Sequence, residues 1–230
     1  MGTNYGHRIV TDGLVLHLDA GNIKSYPGTG TTWTDLSGYG SNGTLTTGPT
    51  FDSANGGSIA FDNTPYMHVT CGKVDSLIGL TNKVTVAAWV KRNTDNGGLI
   101  AGTWWGEKYA LWCNGSGHPM VYTRGSAGSF QRAAAGYISD TIMTNIVMTF
   151  NRPIFNLYIN SQLDSQFPYT WDYDFIWSSG TFAFTIGGIN YSDTQTIFNG
   201  NLSIVQVYNR DLIQAEITQN YNALKGRFGL

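Results

Sequence analysis

A chain of 230 residues with a formal net charge of −2 and a pI near 6.0 has no basic excess with which to track a phosphate backbone, so nucleic acid is not an expected partner. No stretch approaches the roughly 18 apolar residues of a membrane-crossing helix, and the first dozen residues lack the apolar run of an export signal, so membrane insertion is not expected either. Charged residues make up 12% and aromatic residues 13%, which leaves a surface of Thr, Ser, Asn, Gly and ring edges suited to stable protein contacts or to sugar contacts.

Alternating or dense β-branched and aromatic content predicts strands at 14–18, 58–61, 66–70, 84–91, 99–102, 109–113, 120–124, 130–134, 146–150, 155–159, 182–186 and 202–208. The 29 glycines, with Asn, Asp and Ser clusters, punctuate these short segments, and no helices alternate with them. That pattern implies an all-β fold, an antiparallel β-sandwich of jelly-roll type. No Pro/Ser-rich or charged linker divides the chain, so a single domain over 1–230 is expected. Within 84–91, Val84, Val86, Ala88 and Val90 share one face, while Thr85, Ala87, Trp89 and Lys91 share the other. Trp89 is expected either to face a concave sheet or to cover the second sheet.

Residues 167–177 read as a long aromatic loop holding Tyr169, Trp171, Tyr173, Phe175 and Trp177. Exposed, it is a contact surface for protein or sugar; tucked down, it is a lid, and so much apolar area favours the contact. At the C-terminal end, Asp211 three residues before Gln214 reads as a capping box opening a short helix. Its apolar stripe is Leu212, Ile213, Ile217, Tyr221 and Leu224, and Gly226 reads as the stop. Cys71 and Cys113, each at the end of an apolar segment, are either two buried free thiols or a disulfide between adjacent strands, and the thiols are the expected state.

Several blocks carry a family resemblance. Residues 9–22, 26–28, 33–45 and 48–62 occur in the order of the opening blocks of laminin-G-like, concanavalin A-like jelly-roll proteins of tailed bacteriophages, and 198–230 resembles their terminal segment. The middle, from about 69 to 196, matches only in being a succession of strands. In one block the sequence departs from the family, because Phe61-Asp62-Asn63-Thr64-Pro65-Tyr66 lacks the glycine and second acid of Phe-Asp-Gly-x-x-Asp-Tyr. The resemblance implies a non-enzymatic virion structural protein, assembled in the host cytoplasm as a capsid decoration, cement or outer appendage. Its partners would be other virion proteins and further copies of itself, with the aromatic loop and the terminal Phe228 among the contacts. It also implies calcium as the ion such a module can hold through oxygen ligands, for which Asp19, Asp35 and Asn42 are the candidates. The competing reading is that these three shape turns and that no cofactor is required.

Catalysis is tested by composition. A retaining glycosidase needs two carboxyl groups about 5.5 Å apart. This chain has only two glutamates, Glu107 and Glu216, distant in sequence and outside the Glu-x-Asp-x-x-Glu pattern of jelly-roll glucanases. His7, His17, His68 and His118 are isolated from any orienting carboxylate, and the glycine pairs lack the setting of a phosphate loop. No catalytic residue is expected. Sugar binding instead needs aromatic faces beside planar polar groups, which Trp104, Trp105, Trp112, Tyr122 and Arg124 can supply. On that alternative the chain is a host-glycan receptor module of a tail fibre or spike; otherwise these rings fill the core.

Overall fold

The computed structural model describes residues 8–71, 77, 82–93, 97–103, 109–125, 128–169, 183–189 and 196–230, with the backbone alone at Arg124. Sixteen named strands form two eight-stranded antiparallel sheets packed face to face, followed by one short helix. They are β1 (Leu14–Asp19), β2 (Thr32–Trp33), β3 (Gly43–Thr46), β4 (Thr50–Asp52), β5 (Ser58–Asp62), β6 (His68–Thr70), β7 (Lys83–Arg92) and β8 (Gly98–Thr103). The rest are β9 (Ala110–Cys113), β10 (Pro119–Gly125), β11 (Gly128–Ala133), β12 (Thr144–Asn151), β13 (Ile154–Ile159), β14 (Gln162–Pro168), β15 (Phe184–Ile186) and β16 (Asn199–Tyr208). Helix α1 spans Gln214–Leu224 and runs into a 3₁₀ turn at Lys225–Phe228.

The first sheet has the order β14-β13-β12-β7-β16-β5-β4, with β1 also on β16; the second is β11-β10-β9-β8-β15-β6-β3-β2. The ten-residue β16 pairs along one edge with β7, and its other edge is divided between β5 at Asn199–Leu202 and β1 at Ile204–Tyr208. Chain start and chain end are therefore neighbours in one sheet. Between the sheets lies the main core, where Val84, Val86, Ala88 and Val90 meet Ile100, Leu111, Val121 and Phe184. Period-2 alternation in β7 has this consequence: one face enters that core and the other is left to be covered from outside.

What covers it is α1. Trp89 faces neither a concave sheet nor the second sheet but lies on the outer side of the first sheet, 1% exposed, stacked on Phe228 at 4.3 Å and on Tyr221 at 5.5 Å. Phe228 is thus packed within the molecule rather than presented as a free contact. The helix start also departs from the expected one. Ile213 is the N-cap residue, and the Glu216 carboxylate, held by Arg210 at 2.7 and 2.8 Å, accepts the Ile213 N–H at 3.0 Å. Asp211 instead pairs with Lys83 at 3.1 Å, outside the cap. Ile213 is 62% exposed and does not join the apolar stripe, whereas Asn220 does and is buried. Its Oδ1 accepts the Val10 N–H at 2.7 Å and its Nδ2 donates to the Tyr208 hydroxyl at 3.0 Å, fastening helix to strand. The left-handed stop, at φ 75°, is Gly229 and not Gly226.

One further expectation is corrected, and the expected state of the cysteines is found. Tyr169 does not stand in an exposed loop: it is 4% exposed, with its ring edge-on to Phe130, Phe150 and Phe155 at 5.3 to 5.8 Å. Phe167 and Pro168 belong to β14, while Trp171, Tyr173, Phe175 and Trp177 lie outside the described residues. Cys71 and Cys113 are free and buried. Cys71 follows β6 and Cys113 ends β9, with β15 and β8 between those strands, so about three strand spacings of ~4.8 Å separate them, beyond disulfide reach. Burial pushes the Cys113 thiol up to about 12 and raises Cys71 as well.

Candidate functional site

Each of the expected calcium ligands is committed to protein donors. Asp35 Oδ1 accepts the backbone N–H of His17 and of Ser37, both at 2.9 Å, and Oδ2 accepts the Ser37 hydroxyl at 2.7 Å and the Ser41 N–H at 3.0 Å. Asn42 Oδ1 accepts the Asp35 N–H at 2.9 Å, closing the same loop. Asp19 receives both its charge partner and its bonds from Arg227, at 2.7 and 2.9 Å, with the Gly21 N–H at 3.0 Å. Arg227 comes from the 3₁₀ turn, and a side chain at Gly21 or Gly56 would collide with it, at 2.7 Å in each case. Carboxylates saturated by N–H and guanidinium donors do not fit a calcium cage, which needs six to eight oxygens free to converge. Among the described residues no three His, Cys, Asp or Glu side chains gather as a metal site.

Among the described residues the one glutamate is engaged structurally. Glu216 is occupied as helix cap and partner of Arg210, whose hydrogen bonds hold its carboxyl below the usual range, and Glu107 lies outside the described residues. His17 sits with Asp19, Asp35 and Arg227 around it, and burial lowers its pKa against the pull of the two carboxylates. The His68 ring is bonded through Nδ1 to the Tyr66 carbonyl at 2.7 Å and is likewise lowered by burial.

The aromatic candidates divide. Trp104 and Trp105 lie outside the described residues, and Arg124 is placed only as a backbone position of β10, opposite Ser129. Trp112 and Tyr122 are brought together. Leu111, Cys113 and Val121 point into the main core, so their strand neighbours Ala110, Trp112 and Tyr122 occupy the outer face of the second sheet. Register sets Trp112 opposite Met120 and Leu99, and Tyr122 opposite Ala110 and Gln131. The two rings lie diagonally across the β9–β10 pair with centroids 5.8 Å apart and planes inclined by 33°. Ile189, Leu99 and Ala110 are fully buried against them and close the side towards β8.

Beside Trp112 is a hollow of about 300 Å³, walled by Met120, Gln131, Asn114, Cys113, Gly97 and Gly115. No charged side chain lines it among the described residues. Its floor is backbone: a Cβ on Gly97 would meet the Cys113 carbonyl at 2.6 Å, so the chain reaches this close approach only with glycine. Asn114 turns the β9–β10 hairpin, its Oδ1 accepting the N–H of Ser116 and of His118, both at 3.0 Å. Sequence patterning singled out the rings but not Met120 or Gln131. The signal was present as alternation in 119–125, but the partner strand was needed to show which residues share the wall.

The arrangement is an aromatic platform with amide groups at its margin, and the one thiol at its wall, Cys113, is buried and held protonated by that burial. Comparisons with known proteins agree with the fold beneath it. The chain superposes on the binding domain of Paraclostridial mosquitocidal protein 1 with a TM-score of 0.72 at 16% identity, covering 93% of this chain and 52% of that one, so it spans about half of that structure's length. It resembles domain 4 of AbnA, a GH43 extracellular arabinanase from Geobacillus stearothermophilus solved with arabinotriose, with a TM-score of 0.66 at 17% identity over 90% and 98% of the two chains. The receptor-binding domain of botulinum neurotoxin type G matches with a TM-score of 0.65 at 17% identity, covering 91% of this chain and 51% of that one. These identities establish a shared fold. Among curated proteins no sequence match is found. The laminin-G-like model of the concanavalin A-like lectin/glucanase superfamily matches residues 61–218, more than half of the chain, and the protein therefore belongs to that superfamily.

Proposed function

We propose that this protein is a non-catalytic binding domain that takes carbohydrate on the outer face of its second sheet. The observation that carries the reading is the Trp112–Tyr122 pair beside an uncharged hollow. A half-buried tryptophan there offers a flat apolar face to sugar C–H groups, while neighbouring amides can exchange hydrogen bonds with hydroxyls. The single paired glutamate among the described residues, engaged in capping, supports binding over turnover. Support also comes from fold neighbours described as a binding domain, a receptor-binding domain and a domain solved with arabinotriose. The test is a glycan microarray spanning neutral and acidic structures, probed with the wild-type protein and Trp112→Ala. Saturable binding lost in the variant is expected, and silence across the whole array would sink the reading.

A second reading rests on a different observation, the ordered blocks at 9–62 and 198–230 that resemble phage jelly-roll proteins. On it the domain works in a virion, as decoration, cement or outer appendage, making contacts with other virion proteins and with copies of itself. Immunogold labelling of purified particles with a copy-number count tests it. Hundreds of copies over the capsid identify decoration, a few at the tail tip identify a host-glycan receptor, and absence from particles removes the virion role.

A further inference from the structure

The hollow beside Trp112 has features that narrow its ligand beyond carbohydrate in general. At about 300 Å³ it stands at the small end of the roughly 300–1,000 Å³ range of ligand clefts, so it receives one small ring rather than a stretch of polymer. It is also blocked on one flank. Ile189, Leu99 and Ala110, each 0% exposed, pack against Trp112 and Tyr122 where a chain crossing the sheet would have to continue towards β8 and β15. A polysaccharide lying across the strands would meet this closed apolar cluster, whereas a chain entering by its end would not.

The described polar groups of the lining are uncharged. Asn114 Oδ1 is consumed by the Ser116 and His118 N–H groups, an arrangement that orients the amide and leaves Nδ2 as its donor at the hollow. Gln131 Nε2 donates to Ser129 Oγ at 3.1 Å, which leaves Oε1 as its acceptor. The Asn114 Nδ2 hydrogens and the second Nε2 hydrogen of Gln131 remain as donors and Gln131 Oε1 as an acceptor, all on neutral planar groups, and no cation is among the described lining residues. Such a set pairs with vicinal hydroxyls; a carboxylated sugar brought here would lose hydration without gaining a charge partner. We propose that this hollow is a recognition site for the uncharged terminal sugar unit of a glycan, stacked on Trp112 and held by Asn114 and Gln131. The proposal rests on the binding reading above and adds to it the ligand's charge and its end-on mode of entry.

The experiment titrates tryptophan fluorescence of the full chain with methyl β-galactoside, methyl β-glucoside, methyl α-arabinofuranoside, lactose, chitobiose, arabinotriose, 3′-sialyllactose and oligogalacturonate. Wild-type protein is expected to bind at least one neutral sugar, with the matching methyl glycoside competing completely and longer oligomers of the same terminus gaining no more than about threefold. Trp112→Ala should lose at least tenfold in affinity. Asn114→Asp keeps the Oδ1 acceptor that builds the hairpin turn but removes the Nδ2 donor, so it should lose binding while melting at the wild-type temperature; Gln131→Ala, on the exposed wall, should weaken binding severalfold. Tighter binding of sialyllactose or oligogalacturonate than of neutral sugars, lost in Trp112→Ala, would overturn the neutral-ligand inference and keep the binding reading. Affinity that climbs steadily with oligomer length would overturn end-on entry, and neutral-sugar binding untouched in Trp112→Ala and Asn114→Asp would place the ligand elsewhere. No response to any sugar of either class would overturn the binding reading together with the inference.

Discussion

Trp89 and Trp112 hold equivalent strand positions, each projecting from the outer face of a sheet, yet one is 1% exposed and the other is half-buried at a hollow. The difference lies in what is laid over them. Trp89 has Tyr221 and Phe228 stacked upon it, and Met143 and Ile204 beside it. Replacing Trp89 by alanine should therefore cost about 3–5 kcal/mol of stability, whereas Trp112→Ala should cost no more than about 1–2 kcal/mol, both read from urea unfolding midpoints. An equal loss at the two sites would mean that Trp112 is a structural ring and not a platform. Asp19 and Asp35 show the same dependence on surroundings: as isolated letters they suit calcium, but an arginine 208 residues away in sequence and a ring of N–H donors answer their charge.

At the level of elements, the C-terminal helix is the informative one. Its existence and approximate span were legible in 211–226, because an apolar stripe at helical spacing is a local property. Its cap was not. The choice between Asp211 and Glu216 as the group serving the first turn depends on Arg210 and Lys83, and Lys83 arrives from β7 across the sheet. Glu216→Gln should lower stability by about 1 kcal/mol, since it weakens both the bond to Ile213 N–H and the two to Arg210. Asp211→Ala should change it by less than about 0.5–1 kcal/mol, because the Lys83 side chain is 52% exposed and the pair is screened by water. Thermal melts of the two variants decide between the caps, and the reverse ranking would restore Asp211. The inward placement of Tyr169 was hidden from the sequence for a related reason. Alternation of rings near 167–169 describes a strand end entering a core as well as it describes a loop, and only the neighbours Phe130, Phe150 and Phe155 show that Tyr169 points inward.

For the molecule as a whole, the buried histidines make stability depend on pH. Burial lowers His17 and His68 below their ordinary 6.5, so the folded state binds fewer protons than the unfolded chain as pH falls past that value. Their contribution is complete above about pH 6.5 and is lost progressively as pH drops through the lowered folded values. Glu216 acts further into acid. Its carboxyl is held below 4.5, chiefly by hydrogen bonds from Arg210, so its contribution is present above 4.5 and lost as pH falls through the depressed value. Urea midpoints should be flat above about pH 7, begin to decline as pH falls below about 6.5, and show a further decline below about pH 4.5. His17→Gln combined with His68→Gln should flatten the first decline and leave the second. A midpoint that rises on acidification through the histidine range would contradict the direction of both shifts.

What the sequence determined alone is the class of fold: strand alternation in segments such as 84–91 and punctuation by glycine act over a few neighbouring residues, and a chain-local pattern can be read from the chain. The tertiary structure alone decided that Trp89 is covered and that Trp112 borders a hollow. Helix α1, returned to the first sheet by its β16 connection and latched by Arg227 to Asp19 and by Asn220 to Val10 and Tyr208, buries Trp89. Trp112 on the second sheet, facing away from that helix, borders a hollow. Alternation states that a side chain points to one face or the other; whether that face meets water is settled by elements far away in sequence, through burial that no local spacing encodes.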